Sequence, residues 1–124
     1  MSPTVLYVED NEDNIVLVER LLRRRPHLGL LIARDGADGL RQAVDTTPAL
    51  VLLDRRLPDM PGEEVLSLLK ATATTAAIPV VMVSGDAPED GALFLAAGAT
   101  DVLAKPFDIS LLLAAIDRFC PAGG

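Results

Sequence analysis

Tryptophan is absent from this chain, and one Tyr and three Phe are its only aromatic residues. Without large rings the core must be packed by Leu, Val, Ile and Ala, which suits a parallel sheet covered by helices. A lone cysteine, Cys120, excludes an internal disulfide. No charged segment leads into a long apolar core at the N-terminus, so the expectation is a reducing cytoplasm. The longest apolar runs, such as residues 49–53, fall far short of the roughly 20 residues that span a bilayer as a helix, which predicts a soluble chain. Basic residues are also scarce. Eleven Lys and Arg against 18 Asp and Glu leave a charge of -7, which repels a phosphate backbone and argues against direct nucleic-acid binding. The one dense basic stretch, Arg23, Arg24 and Arg25, closes a predicted helix, where the helix dipole favours positive charge.

What is present is a rhythm. Short apolar runs rich in Val, Leu and Ile alternate five times with longer amphipathic stretches. Strands are predicted at residues 5–8, 28–33, 50–53, 79–83 and 101–104, and helices at 12–25, 36–45, 62–72, 88–97 and 109–119. Pro26, Gly29, Pro48, the run from Pro58 to Gly62, Gly98 and Lys105-Pro106 punctuate them, with no linker and no repeat, so residues 1–124 read as one domain. The third and fourth apolar runs do not alternate, so both faces of those strands should be covered. The fold expected is α/β, a (βα)5 doubly wound sheet.

Ligands gather at the carboxyl ends of the strands of such sheets, where strand order reverses. Glu9 and Asp10 follow the first strand, Asp54 ends the third, Ser84 follows the fourth and Lys105 the fifth. Three carboxylates in one cleft repel one another unless a cation is present. Mg²⁺, or Mn²⁺ in its place, suits one or two carboxylates together with water and a phosphate. Asp54 could then attack phosphorus as a carboxylate nucleophile, with Lys105, Ser84 and nearby backbone N–H groups meeting the charge on the phosphoryl oxygens. Each residue alone has a quieter explanation: Asp10-Asn11 or Asp54 as helix caps, Ser84-Gly85 as a turn, Lys105 as a solvated loop lysine. Their shared position at the same end of successive strands favours the joint reading.

With these residues in view, the sequence resembles the response-regulator receiver family from Thr4 to about Phe119. Val5-Leu6-Tyr7-Val8-Glu9-Asp10-Asn11 is similar to its opening strand and acidic pair. The stretch Leu52 to Gly62 is similar to its phosphorylation loop, Ile78 to Gly85 to its fourth strand and hydroxyl switch residue, and Lys105-Pro106-Phe107 to its ending. The resemblance implies a flavodoxin-like five-stranded sheet of order 2-1-3-4-5. It implies Asp54 as the phosphorylated residue, Asp10, Asp54 and the Arg56 carbonyl as metal ligands, Glu9 acting through bound water, and a cis bond before Pro106. The phosphoryl source would be a histidine kinase or histidine phosphotransfer protein, and the module a self-phosphorylating and self-dephosphorylating signalling unit, monomeric or weakly dimeric. The wording from Leu57 to Glu64 resembles receivers at the C-terminal end of hybrid sensor histidine kinases as much as free-standing regulators.

Two departures stand out. Val102 occupies the place where family members often carry an aromatic rotamer switch, so signalling would rest on backbone shifts around Ser84. Arg56, two residues after the acceptor, is expected over the phosphoryl site, paired with Asp86. Competing functions fare worse. A haloacid-dehalogenase-type phosphohydrolase needs an aspartate where Arg56 stands, and no Gly-rich phosphate loop follows the first strand. A non-phosphorylated docking module is disfavoured by the intact set Asp10, Asp54, Ser84 and Lys105. His27, after Pro26, is expected to be exposed and is not the phosphodonor. Cys120 is expected to be a partly buried small hydrophobe.

Overall fold

A computed structural model describes residues 3–121 except residue 86, with the backbone alone at residues 87–89. Five strands and five helices alternate: β1 (Thr4–Val8), α1 (Glu12–Leu22), β2 (Gly29–Ala33), α2 (Gly36–Thr46), β3 (Leu50–Asp54), α3 (Gly62–Ala71), β4 (Val80–Ser84), α4 (Ala87–Ala96), β5 (Asp101–Ala104) and α5 (Ile109–Phe119). All strand pairings are parallel, in the order β2-β1-β3-β4-β5. This is the expected flavodoxin-like, doubly wound sheet.

Alternation along the strands sorts the core into two layers. Leu6, Val8, Val51, Leu53, Val80 and Met82 face one side and pack with Val65, Leu66 and Leu69 of α3 and Phe94 of α4. Val5, Tyr7, Leu50, Leu52 and Val81 face the other, against Val18 and Leu21 of α1 and Leu112 and Ile116 of α5. β3 and β4 are buried at every position, which accounts for their unbroken apolar runs.

The helices begin where short polar side chains can accept a backbone N–H. Asn11 accepts from the Asn14 amide at 3.0 Å, Asp35 from Asp38 at 2.7 Å and Asp108 from Leu111 at 3.0 Å. α1 ends at Leu22, three residues before its expected end. The amides of Arg24 and Arg25 bond instead to the carbonyls three residues back, at 3.1 and 2.9 Å, because Pro26 disfavours a helical residue before it. Arg25 thus leaves the dipole role assigned to it and pairs with Asp117 of α5, Nε to Oδ1 at 2.5 Å. Among the described residues no helix is long and apolar enough to cross a membrane.

Candidate functional site

The sheet brings four chain segments to one edge. The Glu9 amide donates to the Ala33 carbonyl at 2.8 Å, extending the β1–β2 ladder by one residue and fixing Glu9 just past its strand. Asp54 and Ser84 are the last residues of β3 and β4. The amide of Lys105 donates to the Ser84 carbonyl at 3.0 Å, so the turn after β5 is tied to β4. Glu9, Asp54 and Ser84 are 0, 4 and 2% exposed, while Asp10 stands in solvent.

Charge organises the centre. The Lys105 ammonium lies 2.8 Å from Glu9 Oε1 and 2.8 Å from Asp54 Oδ1, bridging two buried carboxylates. A cleft of about 280 Å³ opens over them, lined by Asp54, Arg55, Arg56, Ser84, Gly85 and Lys105. Burial, then a hydrogen bond with Glu9, push the Asp54 pKa up to about 7 against the pull of Lys105. Burial acts on Glu9 in the same sense, but its hydrogen bonds with Asp54 and Lys105 outweigh it and hold Glu9 below the usual carboxylate range. Lys105 loses by burial but gains more from Asp54 and Glu9, so its proton is held more tightly. Without a cation, the cost of placing two buried carboxylates together therefore falls on Asp54.

This arrangement fits a hard divalent ion. Glu9, Asp10 and Asp54 each offer an oxygen within 4.8 Å of the others. Glu9 Oε2 is buried, and among the described residues no donor reaches it. An all-oxygen donor set, two of its members repelling each other in a buried place, is the environment in which Mg²⁺ replaces a proton.

The loop after Asp54 is clamped from two sides. Gly62 begins α3 so close to the acceptor strand that a Cβ there would lie 2.3 Å from the Asp54 carbonyl oxygen, and its amide donates to the Arg55 carbonyl at 2.7 Å. The Asp59 carboxylate accepts from the amides of Gly36 and Ala37 at 2.7 and 2.9 Å, tying the loop to the start of α2. Those two backbone bonds hold the Asp59 pKa below its ordinary value. Arg55 pairs with Asp90 of α4, lies 3.5 Å from Glu63 Oε2 and stacks 5.5 Å from the Phe94 ring centroid.

The structure thus gathers Glu9, Asp10, Asp54, Ser84 and Lys105, with Arg56 on the cleft wall. Lys105 is no solvated loop lysine, and Asn11 rather than Asp10 caps α1. Val102 is half-buried against the layer that holds Phe94. The Lys105–Pro106 bond is cis. Asp86, the expected partner of Arg56, lies outside the described residues. Two expectations need correction. His27 is half-buried, its Nε2 3.1 Å from the Cys120 carbonyl, because the turn after α1 folds against the end of α5. Cys120 is almost fully buried, at 1% exposure. Sequence reasoning passed over three residues that touch the site: Tyr7, Asn14 and Arg55. The phenol of Tyr7, on an otherwise apolar strand, was the available signal, since a buried Tyr hydroxyl needs a partner.

A family model for the response regulator receiver domain matches residues 5–117. The chain belongs to the response regulator receiver family. The receiver is 36% identical over 116 residues to the transcriptional regulatory protein PrrA of Mycobacterium leprae, covering 93% of this chain and 48% of that protein. It is 37% identical over 117 residues to the response regulator PleD of Caulobacter vibrioides, covering 94% of this chain and 26% of that one. The chain therefore spans about half or less of these curated relatives. Its backbone is similar to the receiver domain of sensor histidine kinase PA1611 from Pseudomonas aeruginosa, with a TM-score of 0.87, 27% identity and coverage of 98% of this chain and 100% of that one. That crystal structure holds a magnesium ion coordinated in its active site cleft.

Proposed function

We propose that this receiver accepts a phosphoryl group on Asp54 from a phosphohistidine of a histidine kinase or histidine phosphotransfer protein, and relays a two-component signal by changing conformation. The observation that carries the reading is the Lys105 ammonium held 2.8 Å from both Glu9 and Asp54 at the mouth of a cleft that Ser84 also lines. Asp10, Asp54 and the Arg56 carbonyl would hold Mg²⁺ or Mn²⁺, with Glu9 acting through a bound water. The ion, when bound, neutralises charge on the phosphoryl oxygens and lets Asp54 ionise near neutral pH.

The chain's own groups do the rest. The Asp54 carboxylate forms the new bond to phosphorus as the bond to the donor imidazole breaks. Lys105 and the Ser84 hydroxyl meet the transferred oxygens, and Arg56 on the cleft wall governs access of water to the acyl phosphate. The same groups that speed its formation serve its hydrolysis, so phosphorylation and dephosphorylation are both self-catalysed steps of a signalling unit rather than turnover of a free substrate. Val102, lacking an aromatic ring, leaves the switch to backbone shifts around Ser84. Residues 1–124 act as one module in the cytoplasm. Incubation with Mg²⁺ and acetyl phosphate, read by intact mass, tests this. A gain of one phosphoryl group by the parent and none by Asp54→Asn is expected, and no gain by either would instead favour a docking module that is never phosphorylated.

A further inference from the structure

Glu9 does not present its two oxygens equally. Three donors converge on Oε1: the Tyr7 hydroxyl at 3.0 Å, the Asn14 side-chain amide at 2.8 Å and the Lys105 ammonium at 2.8 Å. A carboxylate oxygen has two lone pairs, so Oε1 is saturated. Oε2 is buried and has no donor among the described residues. Asp10 and Asp54 each offer an oxygen within 4.8 Å of a Glu9 oxygen, and such carboxylates repel one another unless a proton or a cation stands between them.

Both neutral donors sit on rigid elements. Tyr7 lies in β1, flanked by Ile32 of β2 and Leu52 of β3, with its ring fully buried and edge-on to Phe107 at 6.3 Å. Asn14 lies in the first turn of α1, whose start is fixed by the Asn11 cap. The phenol is held in its neutral, donating form by burial first and by Glu9 second. Nothing in packing alone asks for a hydroxyl at this place, since a Phe ring would fill the same volume.

We propose that Tyr7 and Asn14 are positioning residues for the divalent cation: with Lys105 they saturate Oε1 of Glu9 and leave Oε2 as its single free acceptor, which selects Mg²⁺ over Ca²⁺. The inference rests on the metal reading of the site given above. Its physical basis is the difference between the ions. Ca²⁺ takes six to eight oxygens and readily uses both oxygens of a carboxylate, whereas Mg²⁺ keeps an octahedral shell with several waters, one of which a single carboxylate oxygen can accept from. A Glu9 tethered through Oε1 serves the second ion and is barred from chelating the first.

The test is direct cation binding by the whole chain, measured from the electron paramagnetic resonance of free Mn²⁺ with Mg²⁺ and Ca²⁺ as competitors, for the parent, for Tyr7→Phe and Asn14→Ala singly, and for the double variant carrying both. Thermal melts without metal check that each variant is folded. Loss of an outer-shell partner weakens metal binding roughly 10-fold or more. Each single variant still leaves two donors on Oε1 and should move the Mg²⁺/Ca²⁺ ratio little; in the double variant only Lys105 remains, a lone pair of Oε1 is freed, and Mg²⁺ affinity should fall on that scale while Ca²⁺ affinity falls less. Because Tyr7 is the only Tyr and there is no Trp, the parent's emission comes from this phenol and should change as Mg²⁺ saturates. An unchanged Mg²⁺/Ca²⁺ ratio in the folded double variant overturns the inference while leaving the metal site standing. Failure of the parent to bind any of the three ions overturns the metal reading and this inference together.

Discussion

At the scale of single residues the site is held together by unsatisfied charge. Asp54 keeps its proton up to about pH 7 in the folded chain, because burial and Glu9 both disfavour its anion. In the unfolded chain it loses that proton near pH 4, as ordinary aspartates do. Between these values the folded state binds more protons, so the metal-free protein loses stability as pH rises through the window. Glu9 is shifted the other way and acts only below its ordinary range. Melting temperatures in EDTA should therefore fall from about pH 4 to about pH 7. Saturating Mg²⁺ should flatten that slope, and Asp54→Asn should remove most of it without any metal. A rising or flat profile for the metal-free parent would show that the two carboxylates are not in conflict.

At the scale of elements, the loop between β3 and α3 ties the acceptor to its surroundings. Gly62 is irreplaceable on steric grounds, because a Cβ would lie 2.3 Å from a backbone oxygen that has nowhere to retreat. Gly62→Ala should cost about 2–3 kcal/mol, as overpacking does, and slow phosphoryl uptake by displacing Asp54; urea denaturation and the intact-mass assay read the two effects. Arg55 links the same loop to α4 through Asp90 and Phe94. A charge-assisted pair together with a cation–π contact is worth about 1–2 kcal/mol when partly buried. Arg55→Ala should lose that amount and speed amide hydrogen exchange in α4, with β1 and β3 left as slow as in the parent. Uniform acceleration across the sheet would mean that Arg55 supports the whole fold rather than α4.

Over the whole molecule, two apolar layers share one sheet. Leu66 of α3 fills one layer and Leu112 of α5 the other, both fully buried. Truncating either to Ala should cost about 2–5 kcal/mol. Because β1 and β3 contribute to both layers, either variant should shift one common unfolding transition seen alike by circular dichroism and by Tyr7 emission. Separate transitions would mean that the layers unfold independently.

How much was legible beforehand differs by feature. The five strands and five helices follow from the periodicity of apolar residues, and the breaks between them from local signals such as Pro26, Pro48, Gly98 and Lys105-Pro106. The candidate site followed because parallel α/β sheets collect function at one edge, which turns the sequence positions of Glu9, Asp10, Asp54, Ser84 and Lys105 into a spatial cluster. Pro26 was the local signal for the early end of α1, but the pairing of Arg25 with Asp117 depends on where α5 lies, and no local pattern holds that information. His27 was misjudged for the same reason, its partner being a carbonyl 93 residues away. Tyr7 and Asn14 are ordinary in sequence, one an aromatic strand residue and the other a first-turn polar residue. Only the packing of α1 beside β1 brings both onto one oxygen of Glu9. Composition and periodicity, acting between near neighbours, determined the (βα)5 doubly wound class and the edge where chemistry would gather, and the strand order was implied by the family resemblance. Tertiary structure decided which oxygen of which carboxylate was left without a donor, because that depends on contacts between segments far apart in the chain.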